Sequence, residues 1–380
     1  MATSAVTTER PGSPEEAAEL LRSLGEAGKA VRVRGGGTKL DWGGVGEPIA
    51  VELETGGMAE ILEHNEGDLT AVLQAGVPLA EARAAFAAEG QMLALDPPLG
   101  AGDAATVGGV IAANDSGPMR HRYGGVRDLV VGMTLVLSDG TIAKSGGKVI
   151  KNVAGYDVAK LFAGSYGTLG LIASVSVRLH PLPAGNATAI ASADDPAALA
   201  RAAASLAALP LEADSLDVAW DGDRGHLLVR FGAAAAEHQA ASAVERMLAL
   251  GLSDARAEVE DVEIWNRQRA MQRSEDGIVL KVSGRPTDLP AAIGAARAQR
   301  GTVVSRAALG LSWLALPADA DVAAVREALH PRPVSVLDGA GKVADAWPAP
   351  PEGTLAVMAR LKERFDPARI FRPGVFVGGI

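Results

Sequence analysis

The sequence predicts an α+β protein of two domains closed by a C-terminal segment. Three observations carry this. At 380 residues the chain exceeds one small core, and domain scaling favours units of roughly 100–200 residues. Through about residue 183, strands and helices alternate around clusters of glycine. After it, a strand–helix–strand–strand–helix order comes twice. The expected divisions are 1–183, 184–345 and 346–380.

Ser13-Pro14-Glu15-Glu16 opens the first helix, with Ser13 as N-cap, Pro14 at the first helical position and Glu16 completing a capping box. Ala17, Leu20, Leu21 and Leu24 form its apolar stripe. Val31-Arg32-Val33-Arg34 alternates as a strand and runs into Gly35-Gly36-Gly37. A strand at 49–53, a short helix near 58–65, a strand at 69–75 and an Ala-rich helix at 78–89 complete a βαβα pattern. Residues 99–125 are Gly-rich without clear periodicity. They carry Val107, Val110 and Ile111, so an ordered, ligand-facing loop is expected in preference to a disordered linker. Residues 130–137 and 141–144 read as a hairpin about Asp139-Gly140. A short helix at 157–162 and a strand at 171–179 follow, and Pro181-Leu182-Pro183 marks the boundary.

In the second domain a strand at 187–191, a helix at 196–208, strands at 215–220 and 226–231 and a helix at 237–250 make one unit. A strand at 278–282, a helix at 289–298, strands at 302–306 and 311–316, a helix at 322–329 and a strand at 334–337 make the other. Such ferredoxin-like repeats pair into an antiparallel sheet with helices on one face. A last helix at 355–365 leads into Asp366-Pro367 and Arg372-Pro373-Gly374.

Composition narrows the chemistry. The net charge of −10 argues against a nucleic-acid partner, because phosphate backbones require a Lys/Arg surplus; the acidity reads as ordinary solubility. With no Cys, the chain cannot ligate its own iron–sulfur cluster, build a zinc ribbon, form a disulfide or tether a flavin through sulfur. Absence of disulfides fits the cytoplasm. The polar stretch from Met1 to Pro11 is not a secretory signal. The most apolar run, 129–137, is far below the ~20 residues of a membrane span.

Three glycine clusters carry the chemistry. In Arg34-Gly35-Gly36-Gly37-Thr38-Lys39, backbone N–H groups after a strand can form a nest for an anionic oxygen, flanked by two cations and a hydroxyl. Alone, a Gly-rich hairpin turn explains it equally well, and it matches neither the dinucleotide fingerprint nor a Walker loop. The second is Thr106-Val107-Gly108-Gly109-Val110-Ile111-Ala112-Ala113-Asn114-Asp115-Ser116-Gly117. The third comprises Asn152-Val153-Ala154-Gly155-Tyr156-Asp157 and Gly164-Ser165-Tyr166-Gly167-Thr168-Leu169-Gly170-Leu171-Ile172.

In this order the three resemble the FAD-binding domain of the vanillyl-alcohol oxidase and p-cresol methylhydroxylase family, from Val31 to about Leu179. Gly90-Gln91-Met92-Leu93, Asp96-Pro97-Pro98, the stretch from Val149 to Asp157, and the tail from Phe365 narrow the resemblance to the FAD-binding subunits of bacterial glycolate oxidases. The resemblance implies a two-lobed PCMH-type FAD domain, an α+β cap over the flavin, and a C-terminal helix returning to the FAD domain. It implies cofactor binding by Arg34, Gly35, Gly36, Gly37, Thr38, Lys39, Pro97, Pro98, Thr106, Gly108, Gly109, Ala112, Asn114, Ser116, Gly117, Arg120, Gly164, Gly167, Gly170 and Ile172. The FAD is expected to be non-covalent: the position that tethers flavin in covalent relatives holds Thr38 and Lys39, which leaves His121 as the one histidine to test as a tether.

Oxidation of a 2-hydroxy acid needs a base for the hydroxyl proton and a cation for the carboxylate. His64, His121, His180, His226, His238 and His330 are scattered with no metal-ligand spacing, so no metal site and no catalytic residue is assigned. Arg120, Arg122 and Arg127 suit either pyrophosphate or substrate carboxylate, or pairing with Asp115 and Asp128. Trp265, Arg267, Arg269 and Arg273 read best as an amphipathic helix with a solvated basic face. The resemblance also implies partners: a homologous catalytic flavoprotein subunit and an iron–sulfur subunit, with glycolate or another 2-hydroxy acid as substrate. The expected place is the cytoplasm, with contact to the inner membrane through those partners. A stand-alone dehydrogenase of the D-lactate type and a non-redox assembly subunit remain the alternatives.

Overall fold

A computed structural model of the chain describes residues 5–148 and 156–380; the expected motif residues Val149–Gly155 lie outside these. In the N-terminal part, Thr7–Glu9, Val51–Glu54 and Val31–Arg34 form a three-stranded parallel sheet in that order. The helix Pro14–Glu26 packs there through Ala17, Ala18, Leu21 and Leu24. Ser13 caps its start as expected, accepting from the Glu16 amide, but the expected capping box is shifted: the Glu16 carboxylate accepts from the Gly12 amide, one residue before the N-cap.

A second sheet of five antiparallel strands runs Ile61–Asn65, Thr70–Gln74, Leu171–Arg178, Val130–Val136, Ile142–Gly146. Two sequence expectations change here. Residues 61–65 are a strand, not a helix, because they pair antiparallel with Thr70–Gln74 across a turn in which Leu69 takes φ 52°; sheet pairing outweighs local propensity. The expected loop at 99–125 holds a helix, Val107–Ala113, and a single turn, Arg120–Tyr123, with a second turn, Val126–Leu129, directly after it. Val107, Val110 and Ile111 are the buried stripe of that helix.

Beyond residue 185 the chain forms one eight-stranded antiparallel sheet. Its order is Ser253–Glu258, Asn186–Ala193, Arg224–Gly232, Ser215–Asp221, Thr302–Arg306, Leu311–Leu316, Ile278–Ser283, Val334–Val336. The order is mirror-like. Each half is a β-α-β-β-α-β unit, and the halves meet through their second strands, Ser215–Asp221 and Thr302–Arg306. The outermost strand Ser253–Glu258 escaped sequence reading because its charged, largely exposed residues have no buried period. Four helices, Pro196–Ala207, Ala236–Ala249, Leu289–Ala298 and Val322–Leu329, cover one face and share its core with Trp220, Phe231, Leu280 and Leu314.

The opposite face meets the N-terminal part, where Val279, Val304 and Trp313 pack with Trp42 and Ala113. The last helix, Thr354–Phe365, returns to the first domain. Phe365 packs edge-on against Phe162 at 5.4 Å, and buried Lys362 donates to the Thr168 and Phe371 carbonyls at 2.7 and 2.8 Å while pairing with Asp366. Phe371 then bridges Val31 in parallel. No helix among the described residues is long and apolar enough to cross a membrane.

Candidate functional site

A cleft opens where the glycine clusters converge. Its walls include Gly35–Leu40 from the first cluster, Thr106, Gly108, Gly109, Ala112 and Ala113 from the second, Tyr166, Gly167, Gly170 and Ile172 from the third, and Arg372 from the C-terminal segment. The first cluster leaves the strand Val31–Arg34, the second opens the helix Val107–Ala113, and the third runs into the strand Leu171–Arg178.

Close approach explains two glycines in opposite ways. A Cβ on Gly36 would stand 1.6 Å from the Ala104 carbonyl oxygen. The glycine is therefore needed for the first cluster to dock on the second, and a larger residue there disrupts the wall before it meets any ligand. Gly109 is exposed within an otherwise buried helix, and its Cβ would meet only Thr106 Oγ1, at 3.2 Å. Its bare backbone faces open space, as that of Gly167 does.

The expected cations are engaged elsewhere. Lys39 lines the cleft but is nearly buried, 3.3 Å from Asp115, and donates to the Pro98 carbonyl at 3.2 Å. Desolvation pulls its pKa down, and the Asp115 charge opposes the fall. Arg34 turns away from the cleft to Glu52 at 2.8 Å, with Glu54 at 3.5 Å. Arg372 was not among the expected site residues. It joins the first and third clusters, donating to the Leu40 carbonyl at 2.9 Å and to Tyr166 at 3.2 Å.

The other expected residues fall behind the cleft. Pro97 and Pro98 are buried, and Gly117 packs on the Asp96 backbone. Asn114 ends the helix with φ 49° beside Gly164 and keeps a buried Oδ1 without a partner. Ser116 Oγ accepts from Arg120 at 3.3 Å. Arg122 pairs with Asp214 at 3.3 Å, Arg127 is exposed, and Asp128 caps the Gly125 amide, so the expected pairings of these arginines with Asp115 and Asp128 do not form. His121 is half-buried and does not line the cleft. No group of three metal-ligating side chains occurs among the described residues.

The basic stripe expected to be solvated is instead the seam between the two parts. Arg269 reaches buried Asp96 at 3.4 Å. Arg273 pairs with Asp338 at 2.9 Å and donates to the Thr38 carbonyl at 3.0 Å, and Asp338 also accepts from Trp42 Nε1 at 2.7 Å. Trp265 is buried, donating to Thr188, and only Arg267 behaves as a surface residue, pairing with exposed Asp221. Deeper in the seam Arg306 is fully buried against Asp217 at 2.7 Å and bonds Gln272, which donates to the Ser116 carbonyl at 3.1 Å. Burial pushes Lys281 down to about 8, with the Asp115 charge opposing the fall and Arg120 and Arg306 adding to it.

The cleft suits a long ligand with an anionic middle: bare backbone at Gly109 and Gly167, a hydroxyl at Thr38, and the side chain of Arg372, which makes no ion pair among the described residues. Residues 7–146 match the family described as FAD binding domain. The chain is 38% identical over 172 residues to a D-lactate dehydrogenase of Archaeoglobus fulgidus, covering 45% of this chain and 38% of that protein. It is 36% identical over 181 residues to glycolate oxidase subunit GlcD of Bacillus subtilis, covering 48% of this chain and 38% of that protein. With glycolate oxidase subunit GlcE of Escherichia coli it shares 40% identity over 123 residues, covering 32% of this chain and 35% of that protein. These matches thus span well under half of the curated relatives. Among solved structures, an alkyldihydroxyacetonephosphate synthase aligns with TM-score 0.72 at 15% identity, over 96% of this chain and 76% of that one. A glucooligosaccharide oxidase of Acremonium strictum aligns with TM-score 0.70 at 14% identity, over 99% of this chain and 91% of that one. At such identities these two speak for the fold alone.

Proposed function

We propose, from the premise that residues 7–146 are an FAD-binding domain and that the chain stands among the FAD-dependent oxidoreductases, that it is the FAD-binding subunit of a complex oxidising glycolate or a related 2-hydroxy acid. The observation that carries the reading is the convergence of three glycine clusters on one cleft. Held there, FAD supplies a two-electron acceptor at its flavin ring. Thr38, Gly109 and Gly167 would approach its pyrophosphate, and Ala112, Gly170 and Ile172 would line its length. The cap, residues 184–345 in this reading, closes the site through the Arg273–Asp338–Trp42 contacts. Arg120 and Lys281, at the seam without carboxylate partners among the described residues, are the cations this reading offers to a substrate carboxylate.

Electrons then leave to a partner. The likeness to both GlcD and GlcE favours a multi-subunit assembly, and the absence of Cys puts any iron–sulfur relay on another chain. The cytoplasm as the compartment belongs to the same reading. A stand-alone dehydrogenase is the second reading, favoured by the match to a D-lactate dehydrogenase.

An anaerobic absorbance experiment separates them. The purified chain should be yellow, release FAD on denaturation, and bleach poorly with glycolate or D-lactate until partner subunits are added. Full bleaching of the isolated chain would establish the stand-alone enzyme. A colourless chain whose melting temperature ignores FAD would refute both and favour an assembly subunit.

A further inference from the structure

The charge balance of the cleft points to a cofactor contact outside the three glycine clusters. Among the described residues two cations line the cleft, Lys39 and Arg372. Lys39 is neutralised by Asp115 at 3.3 Å, and Arg34, the other basic residue of the first cluster, is held by Glu52. Arg372 makes no ion pair among the described residues. Its terminal nitrogens donate to two main-chain carbonyls, of Leu40 and Tyr166, and Asp41 favours its charge only from beyond ion-pair distance. Its Nε is buried without an acceptor. The surrounding structure fixes this arrangement. Phe371 is fully buried and bridges Val31, the Arg372 amide donates to the Val31 carbonyl at 3.0 Å, and Arg372 itself takes φ 39°. A half-buried guanidinium outside any ion pair is a ready partner for an arriving anion.

We infer that Arg372 supplies the positive charge that the FAD pyrophosphate requires, so that the C-terminal segment, and not the first glycine cluster, provides the cofactor's counter-charge. The inference rests on the FAD reading above. Burial, with Arg32 nearby, already pulls the Arg372 pKa down to about 10. An arriving dianion would reverse that pull. It would not require breaking the two carbonyl bonds, because a guanidinium carries five N–H donors.

The test is FAD titration of the apo-protein by flavin fluorescence at low and high salt, on the wild-type chain and on Arg372→Gln and Arg372→Lys. Arg372→Gln should weaken FAD by about tenfold to a hundredfold, the scale of a lost charge-assisted hydrogen bond. Arg372→Lys should recover most of the loss. Wild-type affinity should fall with salt, and Arg372→Gln should lose much of that dependence. ADP, which retains the diphosphate, should show the same pattern, whereas riboflavin, which lacks it, should bind the wild type and Arg372→Gln alike. Affinity within twofold of wild type in Arg372→Gln would overturn the inference while leaving the FAD reading intact. So would equal losses in both variants accompanied by a lower apo-protein melting temperature, because that pattern marks a purely structural arginine. A wild-type affinity indifferent to salt would overturn it even if neither variant folds. A wild-type chain that binds no FAD would instead remove the reading on which the inference stands.

Discussion

Gly109→Ala separates what the cleft does for a ligand from what it does for the fold. Gly109 lies in the first turn of the helix Val107–Ala113, where alanine is favoured over glycine by roughly 0.5–1 kcal/mol. The new methyl would meet only Thr106 Oγ1, at 3.2 Å, and the cap bond from the Gly109 amide to that oxygen can persist. The helix gain and the tight Thr106 contact offset each other, so the apo-protein should change by no more than about 1 kcal/mol, a shift of at most a few degrees in melting temperature for a chain of this size. The same methyl projects into the cleft, and overfilling a close backbone–ligand contact costs roughly 1–3 kcal/mol. That is about a fivefold to hundredfold loss of FAD affinity, read by titration of the apo-protein. Gly36→Ala is the control: its Cβ cannot coexist with the Ala104 carbonyl at 1.6 Å, so apo-stability and affinity should fall together. A Gly109→Ala protein that binds FAD as tightly as wild type would show that the ligand does not lie over this helix.

Other perturbations test the seam. Asp338→Ala leaves the Trp42 indole N–H and the Arg273 guanidinium without their shared acceptor, and should cost about 2–4 kcal/mol in urea unfolding with a weaker hold on FAD. Lys281→Met should stabilise the protein, by at most about 3 kcal/mol at neutral pH, because the folded state holds this lysine near 8 against its ordinary 10.5. The sign follows from proton binding: between those values the unfolded chain binds more protons, so wild-type stability rises with pH and the advantage of Lys281→Met fades, as unfolding at several pH values would show. Lys362→Met removes the partner of buried Asp366 and the donor to the Thr168 and Phe371 carbonyls. It should cost roughly 3–5 kcal/mol and release the C-terminal segment to limited proteolysis.

The parts of the site that were legible in sequence are those that glycine spells out. Gly35–Gly37, Gly108, Gly109, Gly167 and Gly170 were readable because side-chain-free backbone is a local property, and all of them line one cleft. Charge partners were not readable, because they are set by chain distance. Lys39 finds Asp115, Arg273 finds Asp338, and Arg269 finds Asp96, none of them sequence neighbours. The basic stripe at 267–273 therefore looked solvated, although two of its three arginines serve the seam. Arg372 had a signal, since Arg372-Pro373-Gly374 ends the chain on a motif. What placed it at the cleft was the pairing of Phe371 with Val31, which no local pattern encodes. The doubled cap unit was legible because its buried strands and amphipathic helices repeat in order. Only its charged outermost strand was lost.

The return of the C-terminal segment has a consequence for synthesis. Arg372 closes the cleft against Leu40, 332 residues earlier in the chain. At ribosomal rates of about 5–20 residues per second, the last wall emerges roughly 20–60 s after the first. A nascent chain that has made every glycine cluster still lacks the segment that joins them. Cofactor loading should thus wait until this segment has been made, and chains stopped before Lys362 should emerge without flavin.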